Sequence, residues 1–182
     1  YGELTRQTLS DKDQDTEKYL GKVIETSNNL YGSMKDLLWA LNPDKDSLED
    51  LFFLLKGFGN ELFADSDIIF STNRLPKEMR GRKLPMQVKR HVLLIFKEAM
   101  NNVLKHSNAQ KARMTITLDK DILEMELSDN GVGFNPNKKT SGDGLKNMMS
   151  RAYKISAALM IDSDEKGTSI RLVCPLKVKQ PH

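Results

Sequence analysis

One cysteine in 182 residues, Cys174, excludes an internal disulfide and a cysteine-ligated metal cluster. Within Ile170-Arg171-Leu172-Val173-Cys174 it reads as a small buried hydrophobe. Long apolar runs are missing too. Stretches such as 68–70 and 92–96 fall far short of the ~20 residues a membrane-spanning helix needs. No basic segment followed by an apolar stretch and a small-residue cleavage site opens the chain, so a cytosolic setting is expected. Charge of one sign is scarce: 28 Lys+Arg against 25 Asp+Glu leave +3, which does not argue for a nucleic-acid partner. The densest basic stretch, residues 74–90, has seven cations against Glu78 but no interleaved aromatic residue for base stacking, and is expected to be a solvated connection. What is present, 38% hydrophobic and 29% charged residues, supports one packed domain, alone or with a helical appendage, and excludes a three-domain chain.

The chain is organised by changes of hydrophobic period. Thr16, Leu20, Val23, Ser27, Leu30, Met34, Leu37 and Leu41 alternate spacings of four and three, which predicts one long helix with a heptad seam. Ile24, Tyr31 and Leu38 repeat every seven beside it, widening the apolar face toward that of a four-helix bundle. Packing of that seam on the rest of the same chain is the competing reading. Residues 10–15 form a polar turn, and 1–9 resemble the end of a preceding helix, so the chain is expected to start inside an element. Asn42-Pro43-Asp44 stops the long helix, and Ser47 with Asp50 three residues later opens the next, through about Phe63.

Beyond Asp67, 68–70 suggest a strand, and Leu84-Pro85 introduces a helix to about His106. Two alternating strands follow, with Met114, Ile116 and Leu118 inward on the first and Leu123, Met125 and Leu127 on the second. After a glycine-rich loop, 129–144, come a helix from Leu145 to about Ile155 and two strands, 159–163 and 168–174. The order predicts an α+β fold, a two-layer α/β sandwich with helices on one face of a mixed sheet. The expected domains are 1–45, a partial helical hairpin; 46–176, the sandwich; and 177–182, a frayed tail.

Chemistry concentrates in three places. Glu98, Asn102 and His106, spaced i, i+4, i+8, form a polar row on the central helix, with Lys105 beside Asn102. Asp129-Asn130-Gly131-Val132-Gly133-Phe134 ends a strand with a carboxylate suited to an amine, and then two glycines that let backbone approach a flat ligand such as a purine. Gly142-Asp143-Gly144-Leu145 opens a helix, where free N–H groups and the helix dipole favour phosphate. Each pattern alone is also ordinary turn or surface chemistry; together they compose a nucleotide site. Neither the GxxxxGK[ST] loop nor the dinucleotide GxGxxG is present.

Residues 97–107 resemble the N box, 129–134 the first glycine box and 142–148 the second glycine box of two-component sensor histidine kinases, members of the GHKL ATPase superfamily. Residues 16–55, including Trp39-Ala40-Leu41-Asn42-Pro43, resemble the second dimerisation helix and linker of a short-lid subfamily. The resemblance implies ATP and Mg²⁺ as cofactors, a homodimer through the N-terminal helices, a response-regulator partner, no direct nucleic-acid contact, and a cytoplasmic domain joined to the membrane only through segments outside this sequence. It assigns Asn102 to Mg²⁺, Lys105 and His106 to phosphate oxygens, and Asp129 to the adenine amine. Gly131 and Gly133 would shape the adenine pocket, Gly142, Gly144 and Leu145 the phosphate end, and Thr168 would add a hydroxyl through water. Glu98 occupies the position that activates water in related ATPases.

One departure stands out. The family's acceptor is a histidine followed by an acid on the first dimerisation helix, whereas His91 precedes Val92, His106 precedes Ser107, and His182 is terminal. The acceptor is therefore expected upstream of this sequence. Only residues 135–141 separate the glycine boxes, implying a short lid over the nucleotide. A GHKL serine kinase acting as an anti-sigma factor, and a nonenzymatic dimerisation module with a degenerate site, are the competing functional readings.

Overall fold

The computed structural model describes residues 16, 19–24, 26–27, 30–32, 34–35, 38–39, 42–134 and 143–176. The expectations for 1–15, Leu37, Leu41, the loop 135–141, Gly142 and the tail 177–182 lie outside the described residues. The chain divides into two compact units, Tyr1–Leu41 and Asn42–His182.

In the first unit every described residue between 16 and 39 is helical. Its seam is exposed: Leu20, Val23, Leu30 and Met34 are each more than half accessible, as are Ile24, Tyr31 and Leu38 of the second stripe.

The second unit begins with a 3₁₀ turn, Pro43–Lys45. Helix α1 (Leu48–Phe63) then starts at a reciprocal cap, in which Ser47 Oγ accepts the Asp50 N–H at 3.1 Å and Asp50 Oδ2 accepts the Ser47 N–H at 3.3 Å. Strand β1 (Ile69–Thr72) leads through a 3₁₀ turn to α2 (Met86–His106), whose N-cap is Pro85 with no side-chain capping bond. The hairpin β2 (Lys111–Asp119) and β3 (Ile122–Asp129) turns through Lys120 at φ 53°. Helix α3 (Gly144–Lys154) and the hairpin β4 (Ala158–Asp164) and β5 (Gly167–Pro175) complete the unit.

The sheet order is β1-β2-β3-β5-β4, with β1 and β2 parallel and every other pair antiparallel. Strand alternation sends Ala112, Met114, Ile116, Leu123, Met125, Leu127, Ile170, Leu172 and Cys174 to one buried face. Val88, Val92, Ile95, Phe96, Ala99 and Val103 of α2 bury on the helical side, with Leu51, Phe52 and Leu55 of α1 and Met148 and Ala152 of α3. Each fully buried Leu or Ile contributes about 1.5–3 kcal/mol. This is the expected two-layer sandwich. Burial pushes the Cys174 thiol up to about 11, as befits an inert core residue.

Three local expectations change. The first strand begins one residue later than the apolar triplet and runs to Thr72, leaving Ile69 exposed. Leu118 is half-buried, at the end of β2 where cover thins. The basic stretch 74–90 is not simply solvated. Met79 and Leu84 are core residues, Lys89 is 1% accessible, Arg82 pairs with Asp121, and Lys83 reaches Asp46 at 2.9 Å. The Leu84 N–H donates to Asp46 O at 2.7 Å and the Leu48 N–H to Arg82 O at 2.8 Å, so this stretch is pinned to the start of α1. Its charges alternate with buried apolar positions, which composition alone does not reveal.

Candidate functional site

Helix α2 is amphipathic, and Glu98 and Asn102 sit one turn apart at the edge of its buried face, each half-buried. The N-terminus of α3 comes up against them. A Cβ at Gly144 would run into Glu98 Oε1 and would lie 3.8 Å from Asn102 Nδ2. A side chain at Gly144 would have to displace the Glu98 carboxylate, so glycine at the first helical residue lets α3 begin against α2 with Glu98 left in place. Asp143 makes no capping hydrogen bond there. The first-turn N–H groups, carrying the positive end of the helix dipole, thus stand uncapped by a side chain beside an amide and a carboxylate.

The second cluster forms at the end of β3. Asp129 Oδ1 accepts the Gly131 N–H at 2.8 Å, and its carboxylate also takes the Thr168 N–H from β5. Burial pushes the Asp129 carboxyl above its ordinary range, against the pull of those two bonds. Gly131 lies where a Cβ would strike the Ser107 carbonyl, and Gly133 takes φ +60° beside the Asp164 carbonyl, a conformation that favours glycine. The Val132 N–H donates to Ser107 O at 2.8 Å, tying the glycine loop to the end of α2.

The structure thus brings Glu98, Asn102 and Gly144 together, and separately Asp129, Gly131 and Thr168, with Gly133 against the β4–β5 turn. Leu145 is half-buried next to Gly144. Lys105 and His106 lie exposed in the last turn of α2, and neither makes a hydrogen bond or ion pair among the described residues. Gly142 lies outside the described residues.

Two supporting residues were not singled out by sequence. Ser163 Oγ accepts the Phe134 N–H at 2.8 Å and bonds Thr168 Oγ1 at 2.8 Å, holding the end of the glycine loop to β4. Ser107 Oγ donates to Val103 O at 2.7 Å and accepts the Ala109 N–H at 3.0 Å, closing α2 where the loop docks. Ser107 follows the polar row directly, a weak local signal; a serine in an alternating strand such as Ser163 gives none.

Residues 87–178, half of the chain, match the family described as "Histidine kinase-, DNA gyrase B-, and HSP90-like ATPase". The chain belongs to this family. The match spans all three boxes, and the domain is a histidine kinase-type ATPase. The sensor protein VraS of Staphylococcus aureus strain COL is 38% identical over 101 residues, covering 54% of this chain and 29% of that protein. VraS of Staphylococcus epidermidis is 35% identical over 105 residues, covering 57% of this chain and 30% of that protein. The chain therefore spans less than a third of the curated relatives it matches. Among solved structures, the blue-light activated histidine kinase of Erythrobacter litoralis, EL346, aligns with a TM-score of 0.67 over 84% of this chain and 50% of that one, at 13% identity. The catalytic domain of histidine kinase ThkA gives 0.56 over 71% and 94%, at 13% identity. At those identities the agreement is one of fold, and the fold is that of histidine kinase catalytic domains. Family membership carries nucleotide binding with it. Among the described residues, no helix is long and apolar enough to cross a membrane.

Proposed function

We propose that this domain binds ATP with Mg²⁺ and transfers the γ-phosphoryl to a histidine of a dimerisation segment, for relay to a response-regulator aspartate. The observation that carries the reading is the meeting of Asn102, Glu98 and the uncapped start of α3 at Gly144. A hard divalent ion takes few protein oxygens and keeps waters, so one amide oxygen from Asn102 alongside ATP phosphates is a sufficient donor set. When bound, the ion would neutralise phosphate charge. The protein's own part is positioning: Asp129 accepts from the adenine amine, Gly131 and Gly133 admit the ring, and Thr168 adds a hydroxyl through water. Gly142, Gly144 and Leu145 form the phosphate end, with Lys105 and His106 supplying cations. Glu98 lies where it can polarise the incoming nucleophile.

The exposed double stripe of the N-terminal helix supports a homodimer, since a lone helix cannot keep Leu20, Val23, Leu30 and Met34 in water without cost. In the whole protein the domain would face the cytoplasm, joined to a membrane anchor through segments outside this sequence.

Asn102→Ala is expected to abolish the strengthening of ATP binding by Mg²⁺ while sparing most of the metal-free affinity. Calorimetric titration with and without Mg²⁺ checks this, and equal losses in both would make Asn102 structural. Incubation with radiolabelled ATP tests the transfer. The chain alone should take up no acid-labile label, because none of His91, His106 and His182 has the acceptor context. It should label a supplied dimerisation segment slowly in trans, since holding acceptor and phosphoryl together is worth ~7–11 kcal/mol of barrier. Acid-labile label on the chain itself would make His91 or His106 an acceptor, and acid-stable label would point to a serine kinase.

A further inference from the structure

The face of the sheet turned away from the helices carries a concavity that shares only Asp129 with the proposed nucleotide site. Ser71, Arg113 and Ser128 stand in one row across three paired strands, Arg113 between the two hydroxyls. Lys111, two residues earlier on the same face, pairs with Ile69 on one side. On the other, Asn130 Oδ1 accepts its backbone N–H at 2.8 Å. With Ala112 and Asp129 these residues line a cavity of about 350 Å³.

Its charge is uncompensated. Among the described residues neither the Lys111 nor the Arg113 side chain has a hydrogen-bond or ion-pair partner. The acids of that face are drawn the other way: Glu126 takes the Ser169 hydroxyl at 2.7 Å and Arg171 at 3.7 Å, and Glu124 takes Arg171 at 3.5 Å. Asp129 alternates with Ser128, and its carboxylate is occupied by the Gly131 and Thr168 N–H groups.

We propose that this concavity binds the phosphate group of a small molecule. A guanidinium fork flanked by two hydroxyl donors, with an ammonium beside it, matches a tetrahedral oxyanion, which accepts along several directions at once. The volume is that of a small-ligand pocket. Two cations are too few for a polyanion, whose binding rests on many phosphate contacts. The site lies across the sheet from α2 and α3, so it stands or falls independently of the nucleotide reading.

The test is a titration of the ¹⁵N-labelled full chain with inorganic phosphate, with acetate, and with sodium chloride at matched ionic strength. The resonances followed are the Arg113 Nε–H and the Ser71 and Ser128 amides, with and without ADP. Phosphate alone should give saturable shifts, unchanged by ADP. The apparent Kd should rise roughly tenfold or more in the Lys111→Gln, Arg113→Gln double variant, the loss expected for a hydrogen-bonded charge, and less in Arg113→Lys. Both side chains are exposed, so the remaining amide spectrum should be unchanged. Shifts shared by chloride or acetate, shifts abolished by ADP, or shifts surviving in the double variant would each overturn the proposal.

Discussion

Asp129→Asn is expected to weaken ATP and ADP by the same factor, roughly 10- to 150-fold, the 1.5–3 kcal/mol of a hydrogen bond to a charged group. The two nucleotides should suffer alike because the proposed contact is to the base, whereas a phosphate contact would separate them. An amide can still accept the Gly131 N–H, so the glycine loop should keep its shape. The apo domain should respond in the opposite sense. Burial raises the Asp129 carboxyl in the folded state, so the folded domain holds its proton more tightly than the unfolded chain does. That contribution to stability is complete below the ordinary value of 3.8 and is lost as pH rises through the higher folded-state value. Asparagine has no such loss. Thermal unfolding of the two apo proteins between about pH 4 and 7 should therefore show the parent losing ground to the variant as pH rises. An unchanged ADP affinity would remove Asp129 from the adenine site, and parallel pH profiles would remove its burial as a cost.

Much of this was legible because the decisive features are local. The polar row on α2, Asp129 at a strand end and Gly144 at a helix start are each set by spacing along the chain, and the sandwich follows from the order of periods. The cap at Ser47 and Asp50 was likewise written in four consecutive residues. What escaped is long-range. Ser163 joins Phe134 across 29 positions, and Arg82 meets Asp121 across 39, with no periodic signal for either. Lys89 reads as one more cation in a basic stretch, yet it is buried, because the chain segment that satisfies it lies more than forty residues away.

That lysine carries the second large effect. Its Nζ donates to Lys45 O at 2.7 Å and Asn42 O at 3.0 Å, fastening the segment before α1 to the helix that bears Asn102. Burial pulls its pKa below the ordinary value, while Asp46 and Asp50 oppose that pull. Two effects therefore compete on replacement. Removing the ammonium relieves a desolvation cost, which can make an apolar substitute for a buried ion neutral or better. Here, however, the partners are backbone carbonyls that no side-chain substitution removes, and losing the part-buried, charge-assisted hydrogen bonds to them costs ~1.5–3 kcal/mol, although Asn42 O keeps the Lys45 N–H at 3.4 Å. The second effect wins. Lys89→Ala, which also empties the space of the stem, should destabilise the domain by about 3 kcal/mol and lower Tm by roughly 10 °C. Lys89→Met refills that space and should recover only part of the loss. Amide exchange should quicken at Leu84 and Leu48, whose N–H groups bond Asp46 O and Arg82 O in the same junction. A methionine variant as stable as the parent, with those amides still protected, would show that the stem packs there and the ammonium fastens nothing.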